Sequence, residues 1–132
     1  MSESVEILAI RKVKKHYEDQ GWAVKDVSHA IGKHGGYDLV AQKDSNELKL
    51  EVKGSAKPYH GIPDLYETQV DRHKKLKADF LCVAYFPPGK QERLAIIPRK
   101  DILIDPKPKI SYSISTECKK EEAIEKFLVP SV

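Results

Sequence analysis

Asp38, Glu51 and Lys53 are the residues whose types and spacing could do chemistry. One residue separates Glu51 from Lys53, so in an extended strand both side chains leave the same face. Asp38 lies in a neighbouring run that alternates in the same way. Two carboxylates that meet across adjacent strands repel one another and need a cation. A hard divalent ion such as Mg²⁺ accepts one or two protein carboxylates and leaves further positions for water and a substrate phosphate. A lysine on the same face can orient the attacking water and stabilise charge developing on phosphorus. The solvated face of an antiparallel sheet shows the same alternation, and Glu-x-Lys recurs at Glu47-Leu48-Lys49 and Glu117-Cys118-Lys119. Context separates Glu51-Val52-Lys53 from these: an Asp placed opposite by register, Gly54 directly after, and a Gly-rich turn before Asp38. On the residues alone, metal site and solvated face both stay open.

The elements that must position these residues follow from periodicity. A helix is expected from about Ser4 to Asp19, with Val5, Leu8, Ala9, Val13 and Tyr17 at helical spacing and Gly21 past its end. Glu6 falls between Val13 and Ile10 on the helical wheel, toward the buried side. Trp22 to Val27 is a plausible first strand, and Ser28 to Gly36 a loop rich in Gly and His. Tyr37 to Gln42 and Glu47 to Lys53 alternate with period two around Asp44-Ser45-Asn46, which predicts an antiparallel hairpin. If Leu39 pairs with Leu50 and Ala41 with Leu48, then Tyr37, Leu39, Ala41, Leu48, Leu50 and Val52 share one apolar face. Asp38 then sits opposite Glu51. Gly54 to Tyr66 is a loop long enough to contact a substrate. Thr68, with Asp71 three positions on, predicts a capped basic helix to about Lys77. Phe80 to Tyr85 and Leu94 to Ile97 are apolar runs of strand length, joined by Pro87-Pro88-Gly89. Pro98 to Lys109 reads as irregular and Thr116 to Leu128 as a last helix. This order predicts an α/β fold, a mixed sheet between layers of helix.

At 132 residues the chain has the length of a single domain, 1–132, with a core over 4–97 and a C-terminal extension over 98–132. It carries 33% charged residues and no apolar run near the roughly 20 residues that span a bilayer, so no membrane partner is expected. Met1 to Glu6 shows no basic stretch followed by an apolar one, and a cytoplasmic address is expected. Cys82 and Cys118 are too few and too far apart for a paired-Cys zinc site or a disulfide framework. The formal charge of +3 is unevenly placed: residues 1–66 hold ten basic and ten acidic groups, and 67–132 thirteen against ten. Arg72, Lys74, Lys75 and Lys77 concentrate the surplus and are candidates for phosphate contacts, although charge runs are also ordinary solvated faces. Gln69 and His34 are further candidates for the site and its substrate. Trp22 and Tyr85 begin and end apolar strands and read as core aromatics. There is no Walker-type loop, dinucleotide fingerprint or nucleophile elbow.

A helix with an early Glu, then Gly36-Tyr37-Asp38-Leu39, then Glu51-Val52-Lys53-Gly54, then a helix and an apolar strand, resembles the PD-(D/E)xK nuclease superfamily over roughly residues 4–97. Within it the chain is most similar to the nuclease-like domain at the C-terminus of NO VEIN and its bacterial relatives, where Gly-Tyr-Asp and Glu-Val-Lys-Gly recur. In size it is also similar to archaeal Holliday junction resolvases. Tyr37 stands where the superfamily's nominal Pro precedes the Asp. The resemblance implies a restriction-endonuclease-like three-layer sandwich, its central mixed β-sheet flanked by helices. It also implies Mg²⁺- or Mn²⁺-dependent hydrolysis of DNA by a water attacking in line, leaving a 5′-phosphate and a 3′-hydroxyl. Carried over by position, Asp38 and Glu51 would hold the metal, Lys53 would act on the water, and Glu6 would support the metal shell. A homodimer and a partner subunit supplying specificity both fit such enzymes. The apolar segment Ile124 to Val132 could supply an interface or pack on its own sheet. The alternative is a catalytically silent module of the same fold that binds nucleic acid or a partner protein.

Overall fold

The computed structural model describes residues 4–27, 36–56, 65–66, 69–71, 73, 75–106, 111–115 and 127–130. Helix α1 spans Val5–Glu18, and the Ser4 side chain accepts a hydrogen bond from the Ile7 N–H at 3.2 Å, capping its first turn. Ala9, Val13 and Tyr17, each four positions from the next, are its buried residues. Past its end the chain turns at Gly21, whose φ of 91° suits glycine. Strands β1 (Ala23–Asp26), β2 (Leu39–Lys43) and β3 (Asn46–Ser55) follow.

β2 and β3 pair in the register expected from the alternation, Leu39 with Leu50 and Ala41 with Leu48. A slip of one residue would have turned Leu39, Ala41 and Leu50, all fully buried, to the other side. The turn between them places Asp44 at φ 55°, a left-handed conformation that Asp tolerates. The chain then forms the two-residue β4 (Leu65–Tyr66), β5 (Phe80–Tyr85) and β6 (Arg93–Pro98). β5 runs parallel to β3 and antiparallel to β6, giving a five-stranded mixed sheet of order β1-β2-β3-β5-β6. After a short 3₁₀ turn, Arg99–Asp101, come β7 (Leu103–Pro106) and β8 (Ser111–Ser115), which join β4 in a three-stranded sheet of order β4-β8-β7. The segment expected to be irregular after Pro98 thus contains an edge strand, a position in a sheet that tolerates Pro106.

The large sheet carries a core on each face. On one face α1 packs Ala9, Val13 and Tyr17 against Leu39, Ala41, Leu50, Val52, Ala84 and Leu94. Trp22 lies at the margin of this core, edge-on to Tyr17 at a ring separation of 6.2 Å. On the other face Leu81, Val83, Tyr85, Ala95 and Ile97 pack beneath Leu65, Val70, Leu76 and Ala78. Each fully buried leucine in either core contributes roughly 1.5–3 kcal/mol. Tyr37, expected on one face with Leu39, packs on this second core instead. It precedes β2 and so escapes the strand's alternation.

Two helices were expected beyond α1. The first, Thr68 to Lys77, does not form where the chain is described. Val70 makes an antiparallel bridge with Leu76, the Asp71 N–H donates to the Lys75 carbonyl, and the Lys77 N–H donates to the Gln69 carbonyl. The Asp71 carboxylate accepts from the backbone N–H groups of His73 and Lys75, at 2.8 and 3.0 Å. A short side chain that collects backbone donors in this way competes with the helical ladder. Of the second helix, Thr116 to Leu128, residues 116–126 lie outside the described residues. At its end Leu128 bridges Ala95 and the Val129 N–H donates to the Leu94 carbonyl at 2.7 Å, so the tail pairs with the edge of β6. Phe127, Leu128 and Val129 pack on the chain's own sheet. Among the described residues, no helix is long and apolar enough to cross a membrane.

Candidate active site

Glu51 lies on the central strand β3 and is in register with Leu81 of β5. This parity aims its side chain away from α1 and into the second core, where only 2% of the residue remains exposed. A carboxylate so placed loses its hydration and must find partners. The Gln69 Nε2 donates to Glu51 Oε2 at 2.9 Å, and the Lys53 Nζ stands 4.0 Å from the same oxygen. The Lys53 side chain is itself only 12% exposed. Lys53 therefore holds its charge close to Glu51 with little water between them to screen it.

Asp38 completes the group from the end of β2. Its Oδ2 accepts the backbone N–H of Val52 at 2.9 Å, while its own N–H donates to the Leu50 carbonyl at 2.8 Å. Both bonds follow from the hairpin register and fix the carboxylate beside Glu51. Burial, first, and then the neighbouring Asp38 carboxylate with its hydrogen bond push the Glu51 pKa up to about 9. Lys53 opposes this shift and Glu6 adds to it. Without a further cation Glu51 is therefore protonated at neutral pH.

Gly54 explains how α1 reaches this end of the sheet. A Cβ on Gly54 would stand 2.7 Å from both Val5 Cγ1 and the Val5 carbonyl oxygen, and 3.1 Å from Ala9 Cβ. Only glycine lets the first turn of α1 lie directly on β3. Glu6 is thereby brought near the site. It is exposed, however, where the helical wheel had turned it inward. Helix α1 buries the stripe through Ala9, Val13 and Tyr17, and this leaves Glu6 at the rim.

The pair of oxygen donors suits a hard divalent ion, which needs no more than one or two protein carboxylates. Among the described residues no group of three or more His, Cys, Asp or Glu is gathered around one point. An all-protein cage of the kind zinc prefers is thus not formed by them. The raised pKa of Glu51 marks a place where added positive charge would be welcome.

A family model described as Protein NO VEIN, C-terminal, matches residues 5–97, well over half of the chain. The chain belongs to this family. No curated protein matches it. Among solved structures it is similar to Hjc, a Holliday junction resolvase from the archaeal hyperthermophile Archaeoglobus fulgidus. The identity is 16%, the match covers 93% of this chain and 89% of that one, and the TM-score is 0.50. At this identity the likeness is one of fold, and it agrees with the mixed sheet and helix described above. The α/β fold is restriction-endonuclease-like, and together with the family match it supports the PD-(D/E)xK nuclease-like superfamily that the sequence resembles.

The span matched to the NO VEIN C-terminal family contains every member of the group around Glu51. Asp38, Glu51, Lys53 and Gln69 are brought together, and Glu6 stands close enough to act on Glu51 through its charge. Lys75 is exposed and Lys77 half-buried, on the turn that delivers Gln69. Arg72, Lys74 and His34 lie outside the described residues. The backbone N–H of Val52, which holds Asp38, was absent from the expected set and could have been found from the hairpin register alone. Asp79, whose Oδ2 accepts the Lys49 N–H at 2.8 Å, was also missed. A polar residue just ahead of the apolar run at Phe80 was the available signal.

Proposed function

We propose that the chain is a metal-dependent nuclease that hydrolyses phosphodiester bonds in DNA. One observation carries this: two carboxylates, one of them almost fully buried, meet beside a lysine and an amide on the central strands of a nuclease-like fold. Burial of Glu51 in this way lowers stability, and a hydrophobic residue there would be cheaper. The carboxylate is therefore a feature that function explains and packing does not.

Asp38 and Glu51 would hold Mg²⁺ or Mn²⁺. When bound, such an ion supplies positive charge that draws in the phosphate and eases ionisation of water. Val52 keeps Asp38 in place through its N–H, and Gln69 keeps Glu51 in place through its amide. Lys53 orients the attacking water and stabilises the negative charge that grows on the phosphoryl oxygens. The water oxygen bonds to phosphorus as the bond to the 3′-oxygen breaks, and the proton lost by water balances the one gained by the 3′-oxygen. Glu6 adds negative charge at the rim of the pair. The structural neighbour is a Holliday junction resolvase, which supports DNA as the substrate, while two copies as the working form rest on the sequence resemblance alone.

The test is cleavage of plasmid, single-stranded and branched DNA with Mg²⁺ or Mn²⁺, comparing the native chain with Lys53→Ala and Asp38→Asn. Each substitution is expected to lower the rate by about 10²–10³-fold, with a native-like circular dichroism spectrum at the assay temperature showing that the fold is kept. Cleavage that survives Lys53→Ala unchanged, or a native chain inert with every substrate, sinks the assignment. Inertness combined with retained DNA binding would favour the silent module of the same fold.

A further inference from the structure

Glu51 is flanked on its own face of β3 by two lysines, Lys53 on one side and Lys49 on the other, each about 6.6 Å along the strand. Lys53 belongs to the site. Lys49 has no part in the chemistry and yet is held in place: its N–H donates to Asp79 at 2.8 Å, and its ammonium lies 5.4 Å from the centre of the Tyr37 ring. A lysine steadied by an aromatic face gives up less freedom when it takes a partner than one waving in solvent.

The register extends this observation across the sheet. Lys49 of β3 faces Val40 of β2, and Val40 faces Lys25 of β1, so the three form one row on the side opposite α1. Strands are about 4.8 Å apart, which places the two lysine backbones about 10 Å from each other. Lys25 is exposed and Val40 half-buried. In the next row the Gln42 amide donates to the Glu47 carboxylate at 3.1 Å, and that acid turns a polyanion away from it. Toward β5 and β6 the same face is filled by Leu65, Val70, Leu76, Leu81, Val83 and Ile97. Among the described residues, the room left beside Glu51 lies over β2 and β1.

We propose that Lys49 and Lys25 carry the sugar-phosphate backbone of the substrate strand as it leaves Glu51 toward the β1 edge. The inference rests on the nuclease reading and adds the path of the strand. The experiment measures binding of a fluorescent DNA duplex by the full chain against salt concentration, with EDTA present so that nothing is cut. Lys49→Ala and Lys25→Ala are each expected to reduce the slope of log K against log salt by about one, and the double variant by about two. Lys15→Ala, 75% exposed on the opposite side of the sheet, removes the same charge and is expected to leave the slope as it was. An unchanged slope in either lysine variant of the row overturns the path, and so does an equal fall in Lys15→Ala. These results leave cleavage by the native chain intact. A native chain that neither binds nor cuts DNA overturns the nuclease reading itself, and the path with it.

Discussion

The two faces of the five-stranded sheet are built from the same strands by opposite rules. On the α1 face every β3 residue that meets the helix is apolar or glycine, and volume decides the fit, to the point that Gly54 can carry no Cβ. On the other face β5 supplies Leu81, Val83 and Tyr85, while its parallel neighbour β3 supplies Glu51 and Lys53. There the fit depends on charge and hydrogen bonding. One strand therefore serves packing through one parity and chemistry through the other, and the two can be altered separately.

The largest expected effect lies on the charged face. In metal-free protein the folded chain keeps a proton on Glu51, with its pKa near 9, that the unfolded chain releases above its ordinary value of 4.5. Stability contributed by this proton is complete below 4.5 and is lost as pH rises toward about 9. The loss runs at about 1 kcal/mol per pH unit. Denaturant unfolding in EDTA across this window should show the decline, Glu51→Gln should abolish it, and Mg²⁺ should flatten it. A native profile without slope would break the contrast between the faces. The next effect lies on the helix face. Gly54→Ala forces the first turn of α1 outward and should cost about 1–3 kcal/mol, read as a lower midpoint at every pH. A variant as stable as native would show that the close approach is not required. The smallest concerns the turn that delivers Gln69. Asp71→Ala removes the acceptor for two backbone N–H groups, and the expected outcome is faster amide exchange at His73 and Lys75 with little change in global unfolding. Unchanged exchange there would mean that the turn holds its shape without Asp71.

The hairpin was legible in the sequence because period-two alternation leaves one register that buries Leu39, Ala41 and Leu50 together. The placement of Asp38 against β3 came with it. The depth of Glu51 was not legible: its hydrogen-bond partner Gln69 comes from far along the chain, and no local pattern announces that contact. The basic segment from Thr68 to Lys77 misled for a specific reason. The spacing of Thr68 and Asp71 fits a helix cap, but Asp71 spends its oxygens on the N–H groups of His73 and Lys75 and bends the chain back. Tyr37 and Glu6 were assigned to the wrong side because each lies at the margin of its element, where periodicity weakens as a guide.

The parallel pairing of β3 with β5 has a consequence for how the site comes into being. β2 and β3 meet across a tight turn, so the strand that bears Glu51 is set by neighbours in sequence. β5 can join only after residues 56–79 have crossed over, and Gln69 travels within that crossing. Closing a long loop into a parallel pair is the slower kind of event in folding. Until it happens Glu51 faces water and ionises as any glutamate does. Assembly of the site and loss of the carboxylate's charge are thus tied to one long-range pairing, that of β3 with β5.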